Sequence, residues 1–347
     1  MSFRKTGFGT TKSGVEAELY IFENANGMQM QVTDYGASLV TVIVKDKNGI
    51  SRDVVLGYDD AAGYEADSGT FFGAIVGRNA NRIGGAVFSL NEKDYELSKN
   101  DNGKNNLHSG PDFFMKRKWV VEQVEDNLIT LSIFSPHMDQ GYPGNVKIYV
   151  TYTLTDKNEI LIEYEASPDE DTILNMTNHS YFNLDGHDSG AVLEQKIQID
   201  ADAFTEADEL SIPTGRILDV AGTPMDFRAP KTVGQDIESD YEAIRFGQGY
   251  DHNYVLKGEG YRRVAEFSSD KSGIRMTVYT DCPGMQLYTG NFLNGVKGKN
   301  GVSYPRRSAV CFESQYFPDA VHHENFEGPV CRKDEMYHTV TGYRFDA

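Results

Sequence analysis

Val146-Lys147-Ile148-Tyr149-Val150-Thr151-Tyr152-Thr153-Leu154 decides the architecture of this chain. Val146, Ile148, Val150, Tyr152 and Leu154 alternate with Lys147, Tyr149, Thr151 and Thr153. A period of two places the first set on one face of an extended backbone, as in a strand with one side on a core. The neighbouring segments repeat the pattern. Ile160–Tyr164 follows the turn signal Asp156-Lys157-Asn158, and Asp126-Asn127 separates Trp119–Val124 from Leu128–Phe134. Met28, Met30 and Val32 alternate with polar residues directly after Asn26-Gly27, a pair suited to the positive φ angles of a tight hairpin turn. Asn48-Gly49 follows Val40–Val44, and Asp270 to Gly273 divides Val264–Phe267 from Ile274–Tyr279. Helical period is scarce: a turn or two is expected at Asp59–Glu65 and again at Thr232–Ile237. The sum predicts an all-β fold, a large antiparallel β-sandwich or barrel. With no fixed-period repeat and no Pro/Ser-rich linker, one domain spanning residues 1–347 is expected.

Composition narrows the function. At 347 residues, 39% of them hydrophobic and 12% aromatic, the chain can bury a sizeable core. A net charge of -19 repels nucleic acid and anionic membrane, so neither is expected as a partner, whereas a neutral small molecule is compatible with that field. Three cysteines, Cys282, Cys311 and Cys331, lack CxxC spacing and leave one unpaired under any single disulfide. That favours a reducing compartment, and Met1 to Gly14 has no apolar stretch of the kind a secretion signal needs; a cytoplasmic location is expected.

Two stretches place one titratable side chain each among residues that otherwise read as strand: Asn175 to Leu184 around His179, and Val310 to Pro318 around Glu313. Each is either a satisfied polar group of the core or half of an acid–base pair, and the pattern alone leaves both readings open. Gly77-Arg78-Asn79-Ala80-Asn81-Arg82-Ile83-Gly84-Gly85 packs arginine and asparagine donors between glycines. It aims them at sugar hydroxyls or a carboxylate, or it is a Gly-rich turn paired with surface acids. His108 lies in a polar loop, and Asp251 stands at the mouth of an apolar strand. His322-His323-Glu324 lacks a further ligand at helical spacing, so no metal is expected there. Asn175-Met176-Thr177 and Asn178-His179-Ser180 match the glycosylation pattern inside an expected strand and read as chance. Neither a serine in a GxSxG elbow nor a cysteine-enzyme signature at Cys311 is present.

Together these segments resemble the aldose 1-epimerases, the galactose mutarotase family. The matching stretches are Gly77–Ile83, Leu107–Gly110, Gly141–Gly144, Thr177–Leu184, Tyr250–Tyr254, Met285–Leu293 and Cys311–Ala320, in family order and spread from about Tyr20 to Tyr343. The resemblance implies a mutarotase-type β-sandwich. It implies an isomerase that interconverts the α and β anomers of free aldohexoses such as galactose and glucose, a reaction that a carboxylate and an imidazole can run without cofactor or metal; the acidic surface is compatible with a monomer or a homodimer. By position, Glu313 resembles the general base and His179 the general acid, expected on opposite sides of the anomeric carbon. Asn81, Arg82, His108, Asp251 and Gln286 resemble the residues that bind sugar hydroxyls, and Tyr288 an aromatic position beside the sugar. Ser135 to Gln140 departs from the family's usual acidic form, which puts contacts at the rim in doubt. The nearest alternative, a mutarotase for hexose 6-phosphates, calls for cations beyond Arg78 and Arg82. A non-catalytic carbohydrate-binding module has no reason to keep both His179 and Glu313.

Overall fold

The computed structural model describes all residues from Met1 to Ala347. The alternating stretch forms a strand over Val146–Leu154, and its apolar set is buried. It lies inside a nine-stranded antiparallel sheet. In sheet order the strands are Val120–Val124, Leu128–Ser135, Val146–Leu154, Glu159–Pro168, Tyr337–Asp346, Arg275–Thr280, Arg262–Ser268, Lys196–Ile199 and Lys231–Thr232. The C-terminal strand is inserted in the middle, so chain order and sheet order part company there.

Two five-stranded sheets and five two-stranded ribbons make up the rest of the strand structure. One is an N-terminal meander, Ser2–Thr10 through Ser51–Asp53, whose strands pair in sequence order. Its Asn26-Gly27 and Asn48-Gly49 turns close hairpins, with Gly27 at φ +80° and Gly49 at φ +77°. The other runs Pro213–Asp219, Ala201–Ala207, Asp251–Leu256, Gly284–Tyr288 and Cys311–Gln315 in sheet order. A cluster of 58 buried apolar residues draws on all three sheets, among them Met30 and Val32, Ile148 and Val150, and Tyr254, Met285, Leu287 and Phe312. This is the large all-β sandwich that the alternation predicts.

One helical expectation holds and one fails. Ala61–Ala66 is a short helix, capped by Asp60 accepting from the Gly63 amide. Thr232–Ile237 is not helical: Lys231–Thr232 pairs with the Lys196–Ile199 strand, whose register commits that backbone to a ladder. The second helix lies further on, at Glu242–Gly247, and stops at Gln248 in the left-handed conformation.

Candidate active site

The period that builds the core also builds the site. In the C-terminal five-stranded sheet, Tyr254, Met285, Leu287 and Phe312 point into the core. The alternate residues point the other way. Register pairs Asp251 with Tyr288 and Tyr288 with Cys311, then Asn253 with Gln286 and Gln286 with Glu313. Paired residues of adjacent antiparallel strands share a face, so Asp251, Gln286, Tyr288, Cys311 and Glu313 form one patch. The short strand Thr177–His179 packs against Cys311–Gln315 and brings His179 to it.

The result is a cleft holding about 520 Å³ of space, open to solvent on one side, and lined by all eight residues to which the family resemblance assigns a role: Asn81, Arg82, His108, His179, Asp251, Gln286, Tyr288 and Glu313. That is the size range of small-molecule sites. His179 Nε2 lies 3.6 Å from Glu313 Oε1, with both residues buried. The two groups are therefore neighbours on one floor, and the expectation that they face each other across a gap is corrected. The exchangeable hydroxyl and the ring oxygen of an anomeric centre are bonded to one carbon, so two proton-carrying groups close together are able to reach both.

Electrostatics refine the picture. Burial lowers the His179 imidazolium to about 4. Burial also raises the Glu313 carboxyl well above its ordinary range, helped by the Asp251 charge and opposed by Arg82. Both shifts favour uncharged forms. Burial thus favours a neutral carboxyl beside a neutral imidazole over the ion-paired arrangement in which glutamate acts as base and imidazolium as acid. The proton count is the same in both arrangements, and they differ by one transfer across the short gap.

Around this pair the binding groups are preset. The Asn81 amide donates to His108 Nδ1 at 3.0 Å, so neutral His108 carries its proton on Nε2. Arg82 is anchored through Nε to Asp101 Oδ2 at 3.1 Å, leaving its terminal nitrogens for the cleft. Gln286 Nε2 donates to Asp251 Oδ1 at 2.7 Å. Two buried acceptors, Gln286 Oε1 and Glu313 Oε2, have no hydrogen-bond partner within the protein. The Tyr288 hydroxyl is engaged, accepting from the Phe292 amide at 3.0 Å, so this residue offers its ring.

Phe71, Tyr181 and Phe292 also line the cleft and were not singled out from the sequence. Tyr181 and Phe292 lie inside motifs already quoted. Phe71 is seated by Asp67, whose carboxylate accepts from the amides of Gly69, Thr70 and Phe71 at 2.8–3.0 Å. An Asp-Ser-Gly-Thr turn is the local signal, but nothing in it announces that the next ring will meet a distant histidine.

Other sequence features fall elsewhere. Ser135 to Gln140 surrounds Arg78 and Arg117 and contributes nothing to the cleft, so its departure from the family form does not touch the rim. His322 Nδ1 meets Asp319 Oδ1 at 2.7 Å, and His323 Nε2 meets the Pro213 carbonyl at 3.1 Å, both as parts of a turn. Asn175 and Asn178 are buried, which closes both glycosylation matches to modification in the folded chain. His108, His179 and Glu313 bring ligand-type atoms within 4.8 Å of one another. Their hydrogen bonding does not suit a metal ion. A ligating imidazole uses one nitrogen for the metal and donates from the other. His108 does the opposite: its Nδ1 accepts, so its Nε2 keeps a proton where a metal needs a lone pair.

Comparison with known proteins agrees with this geometry. The family model described as aldose 1-epimerase matches residues 18–344. The chain is 41% identical over 320 residues to a galactose mutarotase of Bos taurus, covering 92% of this chain and 91% of the relative. It is 36% identical over 338 residues to an aldose 1-epimerase of Escherichia coli K12, covering 96% of each. Among solved structures, an aldose epimerase homologue from C. elegans superposes with a TM-score of 0.87 at 32% identity, over 94% of this chain and 98% of that one. A galactose 1-epimerase from Lactobacillus acidophilus gives 0.87 at 26% identity, over 100% and 99%. A matching fold and a match across nearly all of the sequence, with the motif residues gathered in one cleft, converge on one conclusion: this chain belongs to the aldose 1-epimerase family.

Proposed function

We propose that this isomerase interconverts the α and β anomers of free aldohexoses such as galactose and glucose, with Glu313 as base and His179 as acid. The observation that carries the reading is the 3.6 Å separation of His179 Nε2 and Glu313 Oε1 at the floor of the cleft. In the forward half, the Glu313 carboxylate takes the proton of the anomeric hydroxyl while His179 Nε2 gives one to the ring oxygen. The bond from the anomeric carbon to the ring oxygen breaks, leaving the open-chain aldehyde. Rotation about the bond between C1 and C2 exposes the other carbonyl face. Ring closure then returns both protons by the same two groups with their roles reversed. No covalent intermediate and no net proton transfer to solvent are required.

The remaining groups hold the sugar. The Nε2–H of His108 and the terminal N–H groups of Arg82 donate to hydroxyls, Asp251 accepts, and Gln286 and Asn81 complete the polar lining. Arg82 also favours the ionised form of Glu313 and so helps reach the ion-paired state from which ring opening starts. A 6-phosphate substrate fits less well. Arg82 stands among Asp251 and Glu313, and Arg78 is buried in hydrogen bonds to other partners, so no cationic cluster faces a dianion. The buried, unpaired cysteines fit a reducing, cytoplasmic setting, and no helix is long and apolar enough to cross a membrane.

Polarimetry on freshly dissolved α-galactose and α-glucose, with glucose 6-phosphate alongside, tests the reading. Accelerated mutarotation of the free sugars with little effect on the phosphate is expected. Failure to accelerate any free aldose sinks it.

A further inference from the structure

Cys311 and Glu313 are two residues apart on one strand and share its site-facing side. The ring of His179 lies against both, and its two nitrogens meet different side chains. Glu313 Oε1 is 3.6 Å from Nε2, and Cys311 Sγ is 3.6 Å from Nδ1. The ring is held flat between Phe71 and Tyr181, with centroids at 5.8 and 5.0 Å and interplanar angles of 21° in both cases. His108 and Tyr288 meet it edge-on at 5.6 and 6.2 Å. These neighbours are buried, so the imidazole cannot turn over without displacing them. Which nitrogen carries the proton in the neutral ring therefore depends on the side chains at its two ends, together with the residue's own backbone, which also hydrogen-bonds the ring.

We infer that Cys311 is a positioning residue: its neutral sulfur accepts the Nδ1 proton of His179, so that Nε2 is the nitrogen that exchanges a proton with the sugar's ring oxygen. This rests on the reading of His179 as the acid and deepens it. The proposed cycle runs through the Nδ1–H tautomer, and an acceptor at Nδ1 keeps the ring in it between the two half-reactions. On ring opening, Nε2 gives up its proton and His179 becomes neutral with Nδ1–H intact. On closure, Nε2 must offer a lone pair to take a proton back. A neutral imidazole protonated on Nε2 instead is useless as an acceptor at that point.

A thiol suits the task better than the carboxylate that often stands behind a catalytic histidine. A carboxylate at Nδ1 stabilises the imidazolium and makes Nε2–H a weaker acid. Sulfur is a weak, uncharged acceptor, so it keeps the tautomer without holding the charge. Cys311 stays a thiol because burial, with the charges of Glu313 and Asp251, pushes its ionisation far up. The titratable and charged groups that face His179 are Cys311 and Glu313 on their strand, His108 from its loop, and Tyr181 and Tyr288. Arg82 and Asp251 stand across the cleft.

The test combines ¹⁵N NMR of histidine-labelled protein without sugar and polarimetric kinetics of Cys311→Ala and Cys311→Ser, with His179→Asn used to assign the His179 signals. The wild-type protein is expected to show neutral His179 as the Nδ1–H tautomer. Cys311→Ala is expected to shift it toward Nε2–H and to lower kcat roughly ten- to a hundredfold with KM little changed, the scale set by misplacing one reacting group. Cys311→Ser, which keeps an acceptor, should restore most of the rate and the wild-type pH profile. A wild-type Nε2–H tautomer overturns the inference without any need for the variants to fold. So does a Cys311→Ala protein with wild-type kcat, pH profile and tautomer. If His179→Asn itself remains active, the acid assignment has failed, which is a separate result from a failure at Cys311 alone.

Discussion

Arg78 and Glu313 are both buried side chains of charged type, 1% and 2% exposed, and the protein treats them in opposite ways. Arg78 is saturated. Its Nε donates to Ser135 Oγ at 2.8 Å, and its terminal nitrogens donate to the carbonyls of Ser135, Pro136, Pro143 and Gly144 and to Thr172 Oγ1 at 2.7–3.2 Å. Burial lowers the guanidinium to about 10, yet it remains charged at neutral pH. Glu313 has Oε2 without any partner in the protein, and its neighbour Gln286 has Oε1 in the same condition. A fully bonded buried charge knits the Gly141–Gly144 turn to the sandwich. An under-bonded carboxyl costs stability when ionised and leaves an acceptor open to a ligand. The two arginines of one motif divide along the same line: Arg78 is structural, and Arg82 faces the cleft.

The largest expected effect breaks the site side of this contrast. Glu313→Gln and His179→Asn should each lose on the order of 10²- to 10⁴-fold in mutarotation rate while remaining folded. A near-normal rate for either in polarimetry of fresh α-galactose removes the acid–base assignment. Arg78→Met is the mirror experiment. It should cost about 3–5 kcal/mol of stability in denaturant unfolding, the scale for disrupting a buried charged network, while kcat per folded molecule changes little. Equal damage to stability from Glu313→Gln and Arg78→Met would erase the distinction.

pH sharpens the comparison further. A carboxyl whose pKa is raised by folding stabilises the native state fully below its unfolded value of 4.5, and that contribution is lost as pH rises through the folded value. Glu313→Gln removes this liability. Its melting temperature should therefore rise relative to wild type as pH increases from about 4.5; a constant difference across that range contradicts the raised pKa. In the proposed mechanism the pair is active in its one-proton form. The acid limb of kcat/KM should then fall near the His179 value of about 4. The alkaline limb should lie above an ordinary carboxylate, and both limbs belong to the coupled pair. The smallest effect is expected at the wall: Arg82→Ala should mainly raise KM, roughly tenfold, the usual worth of one charged hydrogen bond. A KM unchanged in steady-state kinetics would place Arg82 outside the sugar's reach.

Much of the fold was legible because its signals are local. Val146–Leu154, the hairpin turns and the strand around Glu313 appear where alternation and turn chemistry place them. Thr232–Ile237 misleads because tertiary pairing to Lys196–Ile199 overrides a weak local preference. The site is legible to a similar degree. His179, Glu313 and their binding partners are identifiable from motifs, whereas Phe71 is not, since its role depends on a contact more than a hundred residues away. Cys311 was visible only as a cysteine with no catalytic signature; its meaning comes from the histidine nitrogen it touches.

By itself, then, the sequence determined the strand period, the turns and the residue types able to move protons, because each depends on side chains within a few positions of one another. Tertiary structure decided that His179 and Glu313 stand side by side rather than face to face. It decided that Arg78 is sealed while Arg82 is open, and that burial works against charge on both His179 and Glu313. Those outcomes depend on register between distant strands and on burial. Both exist only once the sheets have closed over one another and water has been excluded from the floor of the cleft.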